Sequence, residues 1–252
     1  MVKRSTTIFA IFIIIAVVLA VVFLTNTNDG YIGSFRYIMI GDADKYEYYI
    51  VRGINRWAKL DVEGVTLKFK VDNTLQGNTI ASTSGTTISI NESVFNSYST
   101  TLKILTIAHE VGHALGIGYW GDNNIVKGAQ DYLNNTTFPK TAAAYVNNVR
   151  PQGITIPGPP IEDDGHGAGS DGAHWDNDQT LGMQRDLMTF SISSTATVIS
   201  IVDLTYLSEI GRKVDLSKAE SLNGTVMSAV TGMFTKEEKA NCGNCCDHKH
   251  DE

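Results

Sequence analysis

The body of this chain contains no cysteine. All three, Cys242, Cys245 and Cys246, fall in the last eleven of 252 residues. No disulfide framework can therefore staple the main domain, and its stability has to come from a packed core. A basic excess is missing too. With 27 acidic residues against 20 Lys and Arg, the net charge is −7, which excludes the basic face that a nucleic-acid partner requires. No segment repeats at a fixed period, which excludes a solenoid or propeller. A chain of this length without repeats fits one domain with appendages.

What is present is unevenly spread. Ile8 to Leu24 is an uninterrupted run of seventeen apolar residues, and flanking threonines bring it close to the ~20 needed to span a bilayer. Lys3 and Arg4 precede the run, and the first charge after it is Asp29. That asymmetry predicts a type II signal anchor with the rest of the chain outside the cytosol. The run is long for a cleaved signal peptide and lacks a small-residue cleavage site, although cleavage would leave a secreted protein. The expected organisation is a stub and transmembrane helix over 1–28, a folded domain over 29–236 and a polar tail over 237–252. Sequons at Asn91, Asn134, Asn135 and Asn223 suit an exported domain. In the tail, Cys242, Cys245 and Cys246 precede His248 and His250. Such a cluster can bind an extra metal or form a disulfide.

Periodicity predicts an α+β fold. After a polar linker (TNTNDGYIGS), FRYIMIGD reads as a strand. Tyr49, Ile50, Ile54, Trp57 and Leu60 give one buried face to a helix around Asp44 to Leu60. Val65, Leu67, Phe69 and Val71 alternate with polar residues in a second strand, and GTTISINES is a third. Ser97 to Gly116 reads as a helix, with Thr100 or Thr101 as its cap and Gly116 as its stop. From Ile117 to Ala173 the pattern weakens into Gly-, Pro- and Asp-rich loop. It returns as a helix within TATVISIVDLTYLSEIGRKV and another from about Leu216.

The helix that ends at Gly116 carries HEVGHALGIG. His109 and His113 lie four apart, so on a helix both imidazoles project from one face and can grip one ion. Glu110 is turned aside, where it can serve as general base towards a metal-activated water. A catalytic zinc needs a third protein ligand. A pattern HExxHxxGxxH would place a histidine at position 119, but the residue there is Tyr119. A tyrosine would have to lose a proton of pKa ~10 to serve. Of six histidines, His248 and His250 lie in the tail, which leaves His166 and His174. Spacing alone does not choose between them.

The wider context resembles the leishmanolysin-like family of metzincin zinc peptidases over about residues 35–215. That family interrupts the glycine-to-histidine spacing with a long insertion, then resumes with His-Trp and Leu-Met-Thr. Here the insertion runs past IPGPPIEDDGHGAGSDG to His174 and Trp175, and Leu187, Met188 and Thr189 follow. The resemblance implies one zinc ion held by His109, His113 and His174. It makes Glu110 the base, Gly116 the turn after the helix and Met188 the methionine below the metal. It also implies a twisted mixed sheet with an active-site helix, then a mainly helical C-terminal part. The function implied is a membrane-anchored endopeptidase acting on protein or peptide substrates, with the strand GTTISINES lining the cleft. The family's surface proteases are disulfide-rich, and this domain departs from them. The alternatives are an inactive peptidase-like surface protein used for adhesion or assembly, or a zinc amidase acting on cell-wall peptides.

Overall fold

The computed structural model describes residues 27–165 and 170–222. The segment 8–24, His166, Asn223 and the Cys/His tail lie outside the described residues. Five strands form the main sheet: β1 (Thr27–Ile32), β2 (Phe35–Ile40), β3 (Thr66–Val71), β4 (Ala81–Ser84) and β5 (Thr87–Ile90). Their order is β1-β2-β3-β5-β4. β2, β3 and β5 are parallel, and an antiparallel strand closes each edge. The sheet is therefore mixed and the fold is α+β.

Alternation builds this core. Phe35, Tyr37 and Met39 of β2 are buried, and the register sets Tyr37 beside Leu67 and Met39 beside Phe69. Two helices, α1 (Glu47–Ala58) and α3 (Thr100–Leu115), pack on each other and on the sheet. A one-turn helix, α2 (Glu92–Phe95), lies between them in sequence. Gly53 makes the α1–α3 crossing close, because a Cβ there would meet the Ile107 side chain at 2.5 Å. Trp57 is fully buried and donates from Nε1 to the Ala108 carbonyl at 2.7 Å. That bond ties α1 to the residue just before the first histidine of the motif.

The second half is built differently. It has a two-stranded ribbon, β6 (Ile125–Val126) with β7 (Tyr132–Leu133), and two helices, α4 (Pro139–Asn148) and α5 (Ile201–Glu209). Between α4 and α5 the chain is held by single bridges such as Ile161 with Trp175 and Trp175 with Thr189.

Several expectations are corrected. The expected N-terminal transmembrane helix is not supported: among the described residues no helix is long and apolar enough to cross a membrane, and the segment 8–24 lies outside them. The longest, α3, has sixteen residues, short of the ~20 a bilayer requires. Among the described residues the C-terminal part is not mainly helical: α5 has nine residues, and a 3-10 turn at Leu216–Lys218 follows it before the description ends at residue 222. The residues before α5 instead satisfy their backbone through loop hydrogen bonds. The supposed linker contains β1, which pairs along its whole length with β2. Ser99, not a threonine, caps α3 by accepting from Leu102 N. The sequon residue Asn91 is buried, and its amide donates to the Leu75 carbonyl, which leaves no room for a glycan.

Candidate metal centre

α3 delivers His109, Glu110 and His113 from its last two turns, and Gly116 ends it with φ 122°. That left-handed value is one a side chain would resist. The chain then doubles under the helix. At Gly118 (φ 89°) a Cβ would meet the Ala173 carbonyl oxygen at 2.4 Å and His113 Nδ1 at 3.0 Å. This glycine lets the turn pass between the second histidine and the segment carrying His174.

That segment is positioned mainly by backbone. Trp175 N donates to the Met188 carbonyl, and Glu162 N donates to the His174 carbonyl. The Trp175 ring is buried, stacks on Trp120 at 4.6 Å and donates from Nε1 to Asp203 at 2.8 Å. Met188 is fully buried against α3. A Cβ on Gly112 would lie 2.3 Å from its sulfur, so the thioether occupies the space that Gly112 leaves between the two helical histidines.

The result is a buried cluster of three histidines, His109, His113 and His174, that can bind a metal ion. Their Nε2 atoms lie 3.0 Å (His109 to His113), 3.1 Å (His109 to His174) and 3.1 Å (His113 to His174) apart. Each Nδ1 faces a backbone carbonyl: Leu187 at 2.7 Å for His109, Ile117 at 2.9 Å for His113 and Ser170 at 3.0 Å for His174. A carbonyl only accepts, so all three rings carry their proton on Nδ1 and turn the Nε2 lone pair inward. Burial first, then the neighbouring rings, holds His109 far below its ordinary pKa. Burial and then His174 push His113 down to about 3, and burial lowers His174. Three converging lone pairs with no proton between them repel one another. A cation is the partner such a donor set fits, because metals bind neutral imidazole.

Glu110 sits beside the triad. Its carboxylate accepts from the Thr83 hydroxyl at 2.6 Å, and that hydroxyl also lies 3.0 Å from the Glu110 carbonyl. Burial raises the Glu110 pKa to about 7, and the Thr83 bond opposes the rise. A cation in the triad would lower it further.

Tyr119 is not in the cluster. Its hydroxyl donates to the Thr83 carbonyl at 3.0 Å, and burial raises its pKa, which disfavours the phenolate a metal would need.

Sequence reasoning missed three contributors. Thr83 lies in the featureless stretch ASTSG, which carries no signal for it. Asp186 accepts from Met188 N at 2.8 Å and shapes the turn that carries the methionine. Asp203 had a legible sign, since Ser200 and Asp203 form a capping box at the start of α5. Its second oxygen, on Trp175, had none. The strand bordering the site is β4, not the expected GTTISINES. The latter forms β5 and the chain beyond it, one position in from the edge.

No family model matches this chain, and no curated protein or solved structure matches it.

Proposed function

We propose that this protein is a zinc-dependent endopeptidase of the leishmanolysin-like metzincin type. The observation that carries the reading is the convergence of His109, His113 and His174 on one point, with the Glu110 carboxylate beside it. Three imidazoles with an adjacent unliganded glutamate are the donor set of a catalytic zinc rather than a structural one, which takes four protein ligands. The HEVGHALGIG motif, His-Trp and Leu-Met-Thr support the family assignment.

In this reading His109, His113 and His174 hold the ion. When bound, zinc would supply a Lewis acid that brings the pKa of a water towards ~7. The carboxylate of Glu110 would take a proton from the attacking water, whose oxygen would bond to the substrate carbonyl carbon. Glu110 then passes the proton to the amide nitrogen, which leaves as an amine when the C–N bond breaks. Thr83 keeps the carboxylate aimed by its hydrogen bond. The Leu187, Ile117 and Ser170 carbonyls keep the imidazoles in the tautomer that ligates. The free edge of β4 is placed to receive an extended polypeptide by strand addition.

The test is cleavage of an unstructured protein such as casein by the purified full chain. Activity should disappear with a chelator and return with zinc. Glu110→Gln should keep its zinc and lose about 10²- to 10⁴-fold in rate, the range for a general base. A wild type that holds zinc and cleaves no peptide bond would overturn the peptidase reading and favour a metal-binding adhesion domain.

A further inference from the structure

The edge of β4 is not equally open along its length. Among the described residues β4 is the last strand of the sheet and pairs only with β5. In an antiparallel pair, hydrogen-bonded and non-bonded positions alternate. Asn91 N donates to the Ile80 carbonyl, and the register continues with Ala81 opposite Ile90 and Thr83 opposite Ile88. The bonded pairs therefore fall at Ile80, Ser82 and Ser84. Ala81 and Thr83 turn their backbone groups away from β5, towards the free edge.

One of those outward groups is already taken. The Tyr119 hydroxyl donates to the Thr83 carbonyl at 3.0 Å. Tyr119 belongs to the turn after α3 whose preceding residue, Gly118, packs against His113 and Ala173. Its side chain thus joins the loop beneath the metal ligands to the strand above Glu110. The same Thr83 holds Glu110 through its hydroxyl, so the bridged residue stands at the site. Tyr119 is 56% exposed.

We propose that Tyr119 is a latch on the substrate-docking edge. Its hydroxyl occupies the Thr83 carbonyl until an incoming extended polypeptide donates a backbone N–H to the same oxygen and displaces it. Tyr119 then discriminates between substrates: chains able to present a free N–H at that register open the latch, and chains with proline there do not. The identity of the occupant rests on the proposed peptidase reading, but the latch is read by binding rather than by turnover.

The experiment compares Glu110→Gln with Glu110→Gln/Tyr119→Phe, both as zinc-loaded full chains, binding a dye-labelled, proline-free decapeptide followed by fluorescence anisotropy. Phenylalanine keeps the ring and removes only the competing donor. The double variant should bind about two- to tenfold more tightly, the span of one net hydrogen bond. The gain should vanish for the same peptide N-methylated along its backbone, which has no N–H to offer. Equal or weaker binding by the double variant would overturn the latch, as would an equal gain for the N-methylated peptide. Failure of both proteins to bind would overturn strand docking itself. The peptidase reading falls separately, if the wild type holds zinc and cleaves nothing.

Discussion

The two halves of the molecule reach order by different routes. Residues 27–116 are held by a paired sheet and two helices whose apolar faces follow from period two and period 3.6. Residues 117–222 have short elements joined by loops, and their order comes from individual polar contacts: Trp120 Nε1 on the Gly172 carbonyl, Gln130 on Asp176, and the Thr141 hydroxyl on Glu209. The first half supplies His109, Glu110 and His113 on one rigid helix. The second supplies His174 and Met188 on loops that the first half must hold in place. A three-histidine cluster shared in this way closes only when both halves are folded.

The join between them is the place to break the comparison first. Gly112→Ala puts a methyl group where the Met188 sulfur now sits, 2.3 Å away. Alanine is the better helix former by up to ~1 kcal/mol, so propensity alone predicts a gain in stability. Overpacking instead costs about 1–3 kcal/mol. The expected outcome is a lower denaturation midpoint together with weakened metal binding. A more stable variant with unchanged metal affinity would show that the methionine turn does not press on the helix.

A smaller, pH-dependent effect sharpens the comparison from the loop side. Asp186 and Asp203 are buried carboxyls beside one another, and both are shifted upward. Burial and then the Asp203 charge push Asp186 well above its ordinary value, while burial brings Asp203 to about 6. Each holds its proton more tightly folded than unfolded. The stability this contributes is complete below about pH 4 and is lost as pH rises through the folded values, past about 6 for Asp203. Asp186→Asn keeps an acceptor for Met188 N without a titrating proton. Between pH 4 and 7 the melting temperature of the wild type should fall relative to that of Asp186→Asn. A difference independent of pH would contradict the upward shift of Asp186.

The same contrast decides what was legible in the sequence. β2, β3, α1 and α3 announced themselves, because a half-buried strand or helix imprints its period on the residue types. β4 carried no such imprint: the strand reads Ala81, Ser82, Thr83 and Ser84, and of these only Ala81 is buried. α4 escaped because it lies within a stretch that reads as loop, although Pro139 at its first turn was a start signal. At the site, the helical ligand pair could be read from spacing. The third ligand could not, since its separation from Gly116 is set by an insertion with no fixed length. Only the His-Trp and Leu-Met-Thr context pointed to His174. Thr83 and Asp203 act through tertiary contacts that leave no local trace.

The most direct test of a site shared between the halves is the zinc content of the purified full chain beside His174→Ala and His166→Ala. The account predicts about one zinc per chain in the wild type and in His166→Ala, and loss of that zinc in His174→Ala. Zinc retained by His174→Ala and lost from His166→Ala would move the third ligand and contradict the geometry on which the proposed function stands.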